Sequence, residues 1–204
     1  MTIKPSEFNK SLDEHLIEKV AHILYNARVK CLNGYEPENG DTPWSNGVRS
    51  REWCRKAIRD AVEEYQFLDI IKDKGQTFIF SINGVPIKFY KDNTKKPSSK
   101  LFKYQEIEQK QYDLFPFDGV GNPKDILWRF VIETDITLDI SKISFIGLGK
   151  KSKKIECLYD VETRDKDVRI ITPLATSVDS DEKELEEIAI SYKTFENEKK
   201  KVNG

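Results

Sequence analysis

Histidine, cysteine and methionine are scarce in this chain of 204 residues, which holds two, three and one of them. Three cysteines, Cys31, Cys54 and Cys157, are too few and too scattered for a disulfide framework. The two imidazoles, His15 and His22, have no Cys-x-x-Cys or His-x-x-x-His pair to complete a zinc site. Neither a structural metal nor a disulfide is expected, and no resident cofactor. Runs of about 18 apolar residues are absent, and no basic, apolar, small-residue leader opens the chain. A soluble, cytoplasmic protein with no membrane role is the expectation. Phosphate cradles are missing as well. Gly119-Val120-Gly121 runs into Asn122-Pro123 rather than a helix start, and Gly147-Leu148-Gly149-Lys150 lacks the remaining P-loop residues. With no Gly-x-Ser-x-Gly elbow either, the common nucleotide-binding and hydrolase plans are disfavoured. Net charge is the last absence: 34 Lys plus Arg against 35 Asp plus Glu leave −1.

What is present suffices for a core. Leu, Ile, Val and Phe number 56, above the roughly one-fifth of the chain below which disorder is the default. Helices come first. Ser11 with Glu14 reads as a capping box ahead of an apolar stripe, Leu12, Leu16, Val20, Ile23, Leu24, Ala27 and Cys31, which stops at Asn33-Gly34. A polar loop, 35–47, leads to a second helix over Val48–Leu68. Phe78–Ile82, Asn83-Gly84 and Val85–Tyr90 form a hairpin with a type I′ turn, pairing Ile82 with Val85, Phe80 with Ile87 and Phe78 with Phe89. Pro86 marks a point where the second strand lacks a neighbour. Leu101–Phe115 is ambiguous. Ile126–Ile132 is apolar enough for a central strand buried on both faces. Lys142–Leu148 and Ile155–Val161 continue an antiparallel meander, and Val168–Leu174 adds a further strand. The expected fold is α+β: an antiparallel helix pair on a mainly antiparallel sheet, in a single domain over 1–204. Its parts are a helical part (1–72), a sheet part (76–175), a closing helix (180–196) and a frayed tail (197–204).

Two groups of residues offer chemistry. Glu133 and Asp135 lie two apart at the end of the central strand and share a face. With Lys88 from the hairpin they form a candidate catalytic set that would hold Mg²⁺ in a metal-dependent nuclease. Against this stands a polar turn in which Asp is ordinary, Thr134-Asp135-Ile136-Thr137. The second group is basic. Four of the eight arginines, Arg49, Arg51, Arg55 and Arg59, fall within 11 residues. Arg51, Arg55 and Arg59 make an i, i+4 row. Arg pairs bidentately with phosphate or carboxylate, and Trp44 stands on the loop beside the row. Lys88 and Lys91 begin a lysine cluster that continues to Lys103. If the protein works by association, Trp44, Arg49, Arg51, Arg55, Arg59, Lys88 and Lys91 are the expected binding residues, with the Arg row exposed. The competing reading makes the arginines a helix–sheet seam.

The hairpin (FSINGVPIKFY, 80–90), the segment EIEQKQYDLF (106–115) and the strand WRFVIETD (128–135) together resemble a class of small bacterial mobile-element proteins. These partner zinc-metallopeptidase-type antitoxins in toxin–antitoxin or phage-defence operons. The likeness spans about Phe78 to Leu158 and rests on order and texture. It implies a toxic or defence role, in a macromolecule-binding protein held in check by a cognate protein partner; the basic clusters, separately, make nucleic acid a further candidate target. It assigns no catalytic residues.

Overall fold

The computed structural model describes residues 4–114, 125–135 and 138–162. The chain divides into two units, Met1–Lys166 and Asp167–Gly204. The expected strand at Val168–Leu174, closing helix and frayed tail lie outside the described residues, as does the Phe115–Pro123 break.

A one-turn helix, α1 (Pro5–Phe8), precedes α2 (Glu14–Asn33) and α3 (Pro43–Glu64). Asp13 caps α2, its carboxylate accepting from the His15 N–H. Ser11 is instead held in a tight turn, its N–H donating to Asn9 Oδ1, and Glu14 accepts from Ser6. The capping box at Ser11 is therefore corrected by two residues. Thr42 and Ser45 form the reciprocal box that opens α3, with Pro43 in its first turn. Helix α3 begins and ends earlier than its expected range, because Leu68 starts a strand.

Six strands form one sheet in the order β1 (Leu68–Lys74), β2 (Thr77–Ile82), β3 (Val85–Lys91), β4 (Ile126–Thr134), β5 (Ile140–Gly149), β6 (Ile155–Val161). All neighbours are antiparallel except β3 and β4, which run parallel from Ile87 opposite Trp128 to Lys91 opposite Ile132. The Asn-Gly turn has positive φ at both residues, 47° at Asn83 and 77° at Gly84, as a type I′ turn needs. Pro86 pairs with Ser81 on one side, and the β3–β4 ladder starts only at the next residue, so its missing N–H leaves no gap in the ladder. Strand β3 is nevertheless interior, flanked by β2 and β4. Strand β1, unforeseen in the sequence, lies at an edge with a bulge between Ile70 and Lys72 and with Asp69, Lys72, Asp73 and Lys74 along it. Charge and a bulge suit an exposed edge.

Helices α2 and α3 cover one face of the sheet. Their Val20, Leu24, Cys54 and Ile58 join Phe80, Ile87, Trp128, Phe130 and Phe145 in the main core. A smaller core on the other face gathers Leu127, Val131, Ile146 and Leu148 under Leu101 from the short 3₁₀ turn Ser99–Phe102. Helix α4 (Glu106–Leu114) follows that turn. Strand β4 is buried on both faces, as its apolar run implied.

Gly147 sits opposite Trp128. A Cβ there would stand 3.0 Å from the Trp128 ring and 3.2 Å from Cys157 Cβ. The indole is stacked on Phe145 at 5.3 Å, with Phe8 edge-on at 6.1 Å, and has little room to retreat. Gly147→Ala should lower unfolding free energy by about 1–3 kcal/mol, the cost of overpacking a filled core, read as a reduced midpoint in urea.

Candidate anion-binding cleft

The β2–β3 ladder runs over three pairs only, ending at Phe80–Ile87. Farther from the turn, β2 stays with β1 while β3 stays with β4. A cleft of about 660 Å³ opens where they part. Arg28 (α2) and Gly47, Arg51 and Cys54 (α3) line one wall. Lys88, Tyr90 and Lys91 (β3) and Lys100, Lys103 and Tyr104 line the rest. Among the described residues the lining holds six cations and no carboxylate.

Behind this wall lies a buried ionic cluster. Glu108 of α4 forms ion pairs with Arg129 Nη1 at 2.8 Å and with Lys88 Nζ, and accepts from the Gln105 N–H at 2.8 Å. Arg129 is fully buried and donates to the carbonyls of Trp128, Lys103 and Leu101. Burial lowers the Lys88 ammonium, the charge of Glu108 pulls it back up, and Arg129 opposes that pull. One carboxylate between two cations leaves the cluster positive by one. Tyr90, beside it, has its phenol raised by burial.

Among the cleft's cations only Lys88 and Lys100 have a carboxylate partner among the described residues, Lys100 reaching Asp92 at 3.5 Å. Arg51 is exposed and donates to the Gln76 carbonyl, and Lys103 is exposed with no ion pair among the described residues. Arg28 is 7% exposed, and its Nε has no hydrogen-bond partner among the described residues. Burial lowers its guanidinium. Partial burial also lowers the Lys91 ammonium, and repulsion from Arg28 and Lys100 adds to the effect.

The arginine row divides. Arg51 reaches the cleft, but Arg55 is buried rather than exposed, bonded to Asp73, Glu52 and the Gly75 carbonyl, with its guanidinium 5.5 Å from the Phe78 ring centre. Arg59 joins it on Asp73 at 2.5 Å. These two strap α3 to the β1–β2 turn, the seam role. Arg49 binds Asp41 at 2.8 Å and the Gly34 carbonyl, tying the α2–α3 loop to α3. Trp44 is 77% exposed, and with Val48 and Arg51 it forms a helical stripe next to the cleft.

The acidic set is not assembled. Lys88 lies opposite Arg129 in the β3–β4 register, four residues back from Glu133, which is roughly 13 Å along a strand. Glu133 instead accepts from the N–H and hydroxyl of Thr94 and faces Lys142 at 3.5 Å. Burial alone would raise its carboxyl, but these partners hold it below the ordinary range. Asp135 and Asp139 hold each other, the Asp135 N–H donating to the Asp139 carbonyl and the Asp139 N–H to Asp135 Oδ1. Among the described residues no three His, Cys, Asp or Glu side chains group as metal ligands. His15 is exposed and His22 half-buried on α2. The three cysteines are free and buried, and burial pushes the Cys54 and Cys157 thiols up to about 12, far from thiolate reactivity. Among the described residues no helix is long and apolar enough to cross a membrane.

No family model matches the chain, and neither a curated protein nor a solved structure matches it.

Glu108 and Arg129 were missed as site residues. A charged residue inside an apolar strand signals a buried pair, but its partner is distant in sequence. Glu108→Gln leaves Lys88 and Arg129 without a counter-charge and should cost about 3–5 kcal/mol, measured by chemical denaturation. Arg59, and after it Arg55, hold the Asp73 carboxyl below its usual range. The folded value is depressed, so the stabilisation is full above the unfolded value of about 3.9 and is lost as pH falls through the folded one. The melting-temperature gap between wild type and Asp73→Asn should therefore be constant near neutrality and close below about pH 4.

Proposed function

We propose that the protein binds nucleic acid, single strands above all, through the cleft between the parted strands. One observation carries the reading: among the described residues six cations line the cleft and no carboxylate does. Such a lining attracts polyanions. The choice of nucleic acid over an acidic peptide rests on flat aromatic faces beside the charge. Tyr104, half exposed, is in the lining, and Trp44 stands on the stripe next to it. Bases stack on such rings whatever their sequence, while the cationic groove follows the backbone. Action by association, under control of a cognate protein as the family resemblance implies, is part of this proposal. Toxin or defence activity would follow from which strand is bound and when the partner releases the cleft.

Fluorescence anisotropy with a labelled 12-nucleotide strand tests it. Two rim cations, Arg51 and Lys103, each neutralising a phosphate, predict a log–log salt slope of about −1.4 or steeper. Arg51→Glu with Lys103→Glu should abolish binding while leaving the melt near wild type, since both side chains are exposed. Salt-independent binding, or binding that survives the double reversal, would overturn the reading.

A further inference from the structure

At one end of the cleft three cations converge from three elements. Arg28 comes from α2, Lys91 from the end of β3, and Lys100 from the 3₁₀ turn. Lys100 is fixed over the strand end, its Nζ donating to the Lys91 carbonyl at 2.8 Å. Asp92, the one carboxylate beside them among the described residues, is itself held by Ser98 and by the Asn93 N–H. The group therefore carries a net charge of about +2 at neutral pH, from the ordinary charges of its members. Within it Arg28 is more than nine-tenths buried with Nε unpartnered, and no carboxylate pairs with it among the described residues. A buried guanidinium without a counter-ion is costly in a fold, and Arg55 and Arg129 each have one.

We propose that Arg28, Lys91 and Lys100 seat a phosphate monoester, as borne by a nucleic-acid strand end or a nucleoside monophosphate. The inference deepens the nucleic-acid reading and rests on it for the strand, but not for the monoester. Charge selects the monoester. A phosphate monoester carries about −1.5 to −2 at pH 7, which matches the group, whereas an internal phosphodiester carries one negative charge. Guanidinium geometry serves the same end, since its fork pairs with two phosphate oxygens at once. Arg51 and Lys103 would then hold the following backbone, with Tyr104 beneath a base.

Three 12-nucleotide strands, with a 5′-phosphate, a 3′-phosphate or hydroxyls at both ends, are compared by anisotropy. Adenosine monophosphate, adenosine and inorganic phosphate are compared by calorimetry. One phosphorylated strand should bind about tenfold more tightly than the hydroxyl strand, as a charge-assisted bond allows. Which strand gains, or whether the free monophosphate alone does, identifies the source. Arg28→Met should erase the preference, bringing the phosphorylated and hydroxyl strands to one affinity even where both bind more weakly, and melt no lower than wild type, because no ion pair among the described residues is lost. Should Arg28→Met fail to fold, Lys91→Ala decides, since that side chain is exposed and its loss should shrink the same preference. Equal binding of all three strands, with no binding of the monophosphate, overturns the monoester seat and leaves the strand-binding reading standing. Monophosphate binding that depends on Arg28, with no strand bound, supports the seat and overturns the strand reading. A preference that survives both substitutions also overturns the seat.

Discussion

The pairing of Glu108 with both Lys88 and Arg129 is the interaction on which the rest of the molecule depends. It places a carboxylate from α4 against cations of two adjacent strands, β3 and β4. Arg129 also collects the carbonyls of Leu101 and Lys103, so the segment between the strands is fastened to the sheet by the same group. That segment supplies Lys100, Lys103 and Tyr104 to the cleft. Remove the central carboxylate, and the wall of the cleft loses both its counter-charge and its anchor. A hydrophobic replacement of the whole cluster would satisfy the core, but would take the Lys88 charge out of the cleft lining.

The cleft itself arises from a hairpin that does not stay closed. Near the turn, alternation and the Asn-Gly dipeptide hold β2 and β3 together. Farther out, each strand has a stronger commitment to its other neighbour. Apolar rings still bridge the division, Phe78 and Phe89 lying 5.9 Å apart. The helix pair contributes its cations from one side of the sheet and the 3₁₀ turn from the other. A gap in the sheet is thus what lets the two sides share a site.

Much of this architecture can be read from local pattern. The hairpin register as far as Phe80–Ile87, the doubly buried β4, the limits of β6 and the long α2 follow from periodicity and turn chemistry, whereas the expected Phe78–Phe89 pair does not form in the ladder. β1 escapes because its bulge breaks the alternation and four of its seven residues are charged. The parallel contact of β3 with β4 escapes because no local signal specifies a partner across the stretch 92–125. The site was only partly legible for the same reason. Arg51, Lys91, Lys88 and Trp44 stand out by residue type and spacing, yet their division into rim, seat, core and flank depends on long-range neighbours. Arg55 and Arg59 belong to Asp73, a residue on the strand that the pattern concealed. Arg28 lies inside an ordinary helical stripe, and nothing about its position in the chain separates it from a solvated arginine.

The lone parallel ladder also joins two halves of the sheet that are each local in sequence. Strands β1 to β3 are joined by short turns, as are β4 to β6, so each trio forms from contacts close in sequence. Their union at β3–β4 closes a loop of more than thirty residues, an entropic toll set by chain length. Non-local pairing of this kind slows folding. Of the cleft lining, Arg28, Lys88 and Lys91 lie before that loop, Ile132 after it, and Lys100 and Lys103 within it. The cleft takes its lining from both sides of that loop and from the loop itself, so it is complete only where the parallel ladder has formed.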